Sequence, residues 1–220
     1  MTKSKTETPA DLQARVAKIT AKLRKRYPDA RTALDFSTPL EMLVATILSA
    51  QTTDAGVNRL TPALFKKYKT AADYAGAEPA ELEAMIHASG FFRQKAKSLM
   101  GVGKMLLEKF GGRVPETMAE LMELPGVARK TANVVMGSAF GQAEGIAVDR
   151  HVARVAGRLG LTKNADPIKI EQDLMAVVPQ KNWIEFSHLL ILHGRQICKA
   201  PKPKCEGCPV NDLCPSAFKV

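Results

Sequence analysis

Along the chain apolar residues recur mostly at helical spacing, and no run alternates apolar and polar positions well enough to predict a strand. Behind a polar N-terminal tail, DLQARVAKITAKLRKRYP (11–28) reads as a basic amphipathic helix stopped at Pro28. FSTPLEMLVATILSAQ (36–51) has Ser37 or Thr38 at the cap position and Pro39 in the first turn. A nearly continuous apolar run follows, which predicts a helix buried on most sides. Thr53 or Asp54 is placed to cap GVNRLTPALFKKY (56–68), where Pro62 implies a kink or break. PAELEAMIHAS (79–89) ends at Gly90, and FRQKAKSLMGVGKMLLEKF (92–110) ends at Gly111-Gly112. Further helices are expected in 116–124, 128–140, 149–160, 168–178 and 183–196. The pattern predicts an all-α protein. One helical domain would occupy 32–143, and a second would combine 1–31 with 144–220.

Composition adds a charge signal. The 220 residues carry 32 Lys+Arg against 22 Asp+Glu, a formal net charge of +10. With 45% hydrophobic residues the chain has enough apolar surface to fold, so a disordered protein is excluded. The basic excess points to a polyanionic partner, nucleic acid before membrane, although cationic surface also serves solubility alone. No segment reaches the roughly 18 uninterrupted apolar residues of a membrane span. Nor does the N-terminus show an apolar stretch suited to secretion. A cytoplasmic protein with no membrane partner is the expectation.

All four cysteines fall near the C-terminus, as Cys198-x6-Cys205-x2-Cys208-x5-Cys214. Disulfide scaffolds scatter their cysteines, so this crowding favours a metal centre. Four soft thiolates suit a zinc ion or a [4Fe–4S] cluster. Only Cys205-x2-Cys208 is a zinc-type knuckle, and the longer flanking gaps fit a loop around a larger cluster. KAPKPK, between the first two cysteines, carries Lys199, Lys202 and Lys204. Held outward by a metal-bound loop they would meet phosphates. Otherwise they are solvated charge.

Residues 116–140 read as a helix, an L-P-G-V-A turn and a second helix. Gly126 supplies unusual backbone angles, and the N–H groups of Val127 and Ala128 sit where they would cradle a phosphate. Lys130 lies two residues into the second helix, where a cation is electrostatically disfavoured. An amine that deprotonates readily is what attack on a sugar carbon needs. The bland alternative is a surface lysine or a phosphate contact. Asp149, in GIAVDRHVARVAGRL, reads as a helix N-cap whose rigidly held charge can also stabilise a developing cation. His151 fits a structural role at that helix start.

LSAQTTD (48–54), LPGVARKTANVV (124–135), VDRHVARV (148–155), LILHGRQIC (190–198) and the 6-2-5 cysteine spacing occur together and in order. With these motifs the chain resembles the endonuclease III family of the helix-hairpin-helix DNA glycosylase superfamily, over about 30–215. The resemblance implies two helical domains flanking a DNA-binding groove: a six-helix barrel with the hairpin, and an iron–sulfur cluster domain built from both termini. It implies one [4Fe–4S] cluster per chain on Cys198, Cys205, Cys208 and Cys214. The implied activity is that of a bifunctional glycosylase and AP lyase of base excision repair, monomeric and nucleoid-associated when bound. Its partner would be duplex DNA containing damaged pyrimidines or abasic sites. Lys130 would be the nucleophile and Asp149 the essential carboxylate.

By the same resemblance Gln51 fills the gap left by an everted nucleotide, and Phe91 wedges into the opposite strand. Without it, Gln51 merely ends a buried helix and Phe91 and Phe92 are core anchors. Arg93, Lys95 and Lys97 read as phosphate-facing or solvated charge. Two positions depart from the family pattern. The hairpin has Ala128 where a second glycine is usual, which costs nothing if that residue is helical. Arg150 follows Asp149 where threonine is common. The competing functions are an adenine-mismatch glycosylase and a non-catalytic DNA-binding iron–sulfur protein. The first generally lacks the hairpin lysine and adds a C-terminal recognition domain, and this chain stops soon after Cys214.

Overall fold

In a computed structural model describing residues 7–220, the chain forms eleven α-helices with no strand among the described residues. These divide into two compact units, one of Thr32–Glu144 and one of Gly145–Val220 with Met1–Arg31. No described helix is long and apolar enough to cross a membrane. The tail expected before the first helix lies partly outside the described residues.

The unit Thr32–Glu144 contains α2 (Pro39–Leu48), α3 (Asp54–Lys67), α4 (Ala71–Ala75), α5 (Pro79–Ile86), α6 (Phe92–Phe110), α7 (Met118–Glu123) and α8 (Arg129–Val135). Thr38 caps α2 by accepting from the Glu41 N–H, with Pro39 pre-set in the first turn. Every residue from Met42 to Leu48 is buried, so α2 runs through the core. Thr53 caps α3, which continues through Pro62 without the expected break. α4 is too short to show as a periodic pattern. Thr70 and Asp73 close its first turn reciprocally, and it packs on α6 at Gly103. A Cβ at Gly103 would lie 2.5 Å from the Ala75 nitrogen and 2.6 Å from the Ala71 carbonyl oxygen. Only glycine lets these two backbones approach so closely, which explains its place inside a long helix.

The other unit contains α1 (Pro9–Arg26), α9 (Arg150–Arg158), α10 (Pro167–Val177) and α11 (Trp183–Gln196). α1 starts two residues earlier than its apolar stripe predicts, because Thr8 and Asp11 form a capping box around Pro9. Val16, Ile19, Thr20 and Leu23 face the core and join the buried apolar residues of α9, α10 and α11. Arg15 crosses from α1 to the Leu159 and Leu213 carbonyl oxygens at 2.6 and 3.2 Å. Lys22–Asp212 and Arg24–Glu185 pairs lie on the surface, where each contributes about 0–1 kcal/mol.

Candidate functional site

The hairpin is set by its turn. Leu124 leaves α7 in extended conformation, and Gly126 sits at φ +80°, a region that strains residues bearing a Cβ. A Cβ there would also meet Ser98 Oγ at 3.0 Å. The Val127 N–H donates to the Leu124 carbonyl at 3.1 Å, so it closes the turn. That corrects the expectation of two open N–H groups: Val127, itself buried, is committed to the protein. Ala128 is the N-cap, extended at φ −96° and ψ 170° instead of helical, and no side chain caps it. Alanine adopts that conformation freely, so the missing second glycine introduces no backbone strain. α8 then leads into a π-helical turn at Met136–Phe140, a feature that periodicity does not reveal. Lys130, the second residue of α8, is exposed.

Asp149 is extended and caps α9. Its Oδ1 accepts from the His151 and Val152 N–H groups at 2.7 and 2.8 Å. Both bonds fall on the same oxygen, so the carboxylate is held through Oδ1. His151 is pushed below the ordinary histidine range by burial, against the upward pull of Asp149, with Arg154 lowering it further. Its Nδ1 accepts from Arg154 Nη2 at 3.1 Å, which makes it a structural member of the helix start. Arg150 is exposed.

Gln51 and Phe91 are both exposed and both left-handed, at φ +57° and +48°. Phe91 is 67% exposed, whereas Phe92 is the partly buried member of the pair. Only Phe92 therefore serves as a core anchor. Arg93 lies 3.8 Å from Glu83, and Lys97 is exposed. Lys95 departs from its sequence reading: it is 5% exposed, and its Nζ donates to Leu48 O, Ser89 O and Thr52 Oγ1. The polar pattern FRQKAK cannot reveal this, because two of the three acceptors are backbone carbonyls, one of them 47 residues away. Burial pushes this ammonium below the ordinary lysine range. With every proton committed, it is not an available nucleophile.

Cys198, Cys205, Cys208 and Cys214 are half-buried free thiols that line one cavity with Val155, Leu159 and His193. Among the described residues, no group of three or more His, Cys, Asp and Glu side chains is gathered as a metal shell. Burial pushes the Cys208 and Cys214 thiols up, and the neighbouring cysteines push them further. A cation among the four sulfurs would favour their thiolate forms. His193, pushed down to about 4 by burial, is neutral. Its ring nitrogens lie 3.4 Å from the Tyr27 hydroxyl and 3.5 Å from Cys208 Sγ, joining α1 to the cysteine cavity.

The KAPKPK loop is held by α9. Arg154 Nε donates to Cys198 O at 3.1 Å. Arg158 donates to Lys199 O at 2.7 Å, Ala200 O at 2.9 Å and Cys198 Sγ at 3.4 Å. Lys199, Lys202 and Lys204 are exposed on this loop, with Lys202 at φ +55°. The expectation placed these lysines on a metal-bound loop; two arginines of α9, spaced i and i+4, also hold that loop through its backbone carbonyls. Sequence reasoning passed over them because they look like the polar face of an amphipathic helix.

The model of the HhH-GPD superfamily of base excision DNA repair proteins matches residues 44–180. The chain is 52% identical over 208 residues to the endonuclease III of Synechocystis sp., covering 94% of this chain and 95% of that protein. It is 40% identical over 208 residues to endonuclease III of Escherichia coli (strain K12), covering 94% and 98%. Among solved structures it superposes on a non-covalent endonuclease III–DNA complex with a TM-score of 0.88 at 42% identity, covering 93% and 96%. A trapped covalent endonuclease III–DNA intermediate gives the same TM-score, identity and coverage.

Proposed function

The chain belongs to the HhH-GPD superfamily of base excision DNA repair proteins, and on that premise we propose that Lys130 and Asp149 carry out its chemistry. The protein is a DNA glycosylase with AP lyase activity that acts on oxidised pyrimidines in duplex DNA. The target nucleotide leaves the base stack, and the Lys130 amine attacks C1′ of its deoxyribose. The C1′–N bond breaks, and the damaged base departs with its electron pair and takes up a proton. Asp149 stabilises the positive charge that develops at the sugar and assists proton transfer. Lys130 then holds the opened sugar as an imine, which acidifies the C2′ proton. Loss of that proton expels the 3′ phosphate by β-elimination, and water releases the lysine. The observation that carries this reading is the exposed amine of Lys130 on the helix opened by the Gly126 turn.

Gln51 takes the space vacated by the everted nucleotide, where its amide can pair with an orphan base of any type. Phe91 wedges into the opposite strand. Gly126, Val127 and Ala128 shape the turn that meets the backbone, with Val127 contributing by closing it. Lys199, Lys202 and Lys204 meet further phosphates. The enzyme works as a monomer on cytoplasmic, nucleoid DNA. A nicking assay on duplexes carrying thymine glycol, dihydrouracil, an abasic site or 8-oxoguanine tests the substrate class. Cleavage of the first three and sparing of the fourth is expected; equal cleavage of undamaged duplex overturns it.

Cys198, Cys205, Cys208 and Cys214 would hold one [4Fe–4S] cluster, whose iron supplies electron-transfer capacity without entering base removal. The four thiols fit the group because they are soft sulfur donors that line one cavity. Purified protein is expected to be brown, with iron and acid-labile sulfide in equal amounts. Cys208→Ser is expected to lose colour and melt at lower temperature, before any change in chemistry at Lys130. A colourless protein holding zinc contradicts the assignment.

A further inference from the structure

Lys95 does something that neither a solvated charge nor a core residue does. Its Nζ lies 2.7 Å from Leu48 O, 2.7 Å from Ser89 O and 3.1 Å from Thr52 Oγ1. Thr52 Oγ1 also donates to Ser89 O. Leu48 is the last residue of α2, and Ser89 ends the short 3₁₀ turn after α5. The two carbonyls thus lie at helix ends, where a cation is favoured. Among the described residues no carboxylate pairs with this ammonium. A methionine would fill the space without burying a charge, and replacing buried ionic groups by hydrophobic ones is often neutral or stabilising.

The acceptors come from two segments, and each segment presents one exposed left-handed residue. Gln51 lies between Leu48 and Thr52, and Phe91 is two residues beyond Ser89. Left-handed conformations at residues bearing a Cβ cost roughly 1–2 kcal/mol and persist only where the surroundings over-determine them. Here the same ammonium pins both segments from beneath.

We propose that Lys95 is a positioning residue that locks the Gln51 and Phe91 loops into one rigid unit, so that both side chains enter the duplex together and nucleotide eversion is driven. This rests on the reading of Gln51 and Phe91 as the residues that enter the DNA. The tie matters most where a paired base must be unstacked and least where an abasic sugar offers no base to evert. A small displacement of such a pair carries a cost of about a hundredfold in rate.

The test uses the full-length protein with its metal centre and two duplexes, one with thymine glycol and one with a preformed abasic site. Each carries 2-aminopurine opposite the lesion. In Lys95→Met the ratio of base-removal rate to abasic-nicking rate is expected to fall about a hundredfold, with the orphan-base fluorescence rise lost. Loss of both rates in equal proportion, or of neither, in a protein of native melting temperature overturns the proposal. Should Lys95→Met not fold, Thr52→Val, which removes one acceptor while keeping shape, reads the same ratio: a fall supports the tie and an unchanged ratio overturns it. Gln51→Ala and Phe91→Ala separate the two layers of the argument. If neither changes the fluorescence or the ratio, the insertion reading itself fails. If both do and the Lys95 and Thr52 variants do not, the failure is that of the tie alone.

Discussion

Lys130→Ala is expected to lose strand nicking and reductive trapping on damaged duplex by about 10⁴-fold or more, as when a nucleophile that drives every covalent step is removed. Binding to the same DNA is expected to stay within a few-fold, since other groups engage the phosphates. The fold should be untouched. Lys130 is exposed, and surface substitutions of this kind usually shift stability by less than about 0.5 kcal/mol. Removing a cation from the first turn of α8 even relieves a small unfavourable interaction with the helix dipole. Equal loss of binding and nicking would return Lys130 to the role of a phosphate contact. Single-turnover nicking beside a binding titration distinguishes the outcomes.

Asp149→Asn should produce the second largest loss. Asparagine caps a helix about as well as aspartate, so the bonds to the His151 and Val152 N–H groups survive and melting temperature is nearly unchanged. What disappears is the charge, and with it the stabilisation of the cationic sugar, at a cost of about 10²–10³-fold in base removal. Asp149→Ala adds the loss of the cap, about 1 kcal/mol of stability. A wild-type rate in Asp149→Asn would reduce Asp149 to a structural cap. Loss of stability and rate in parallel would do the same.

The places of these two residues in the fold could be read from the sequence because their surroundings are local, whereas the roles given to them rest on the family resemblance. Asp149 stands directly before an amphipathic stripe, and Lys130 lies in the first turn of the helix that follows a proline–glycine turn. The helix ends were legible for the same reason: Thr38-Pro39 opens α2, and Gly111, at φ +58°, closes α6. What escaped the sequence depends on backbone groups and on partners that are often far along the chain. α4 exists because Gly103 lets its backbone lie against α6. Lys95 is buried because carbonyls at positions 48 and 89 converge on it, and carbonyls carry no residue signature. The Val127 N–H looked open until the turn geometry turned it back onto Leu124. Arg154 and Arg158 resembled solvated charge, yet they organise the cysteine loop.

The account depends on which amine becomes bonded to the sugar. Borohydride added during turnover of a thymine glycol duplex reduces the imine to a stable secondary amine, and proteolysis with mass spectrometry then locates the modified peptide. The adduct is expected on Lys130, within LPGVARKTANVV. An adduct on any other lysine, or on the N-terminal amine, contradicts the mechanism.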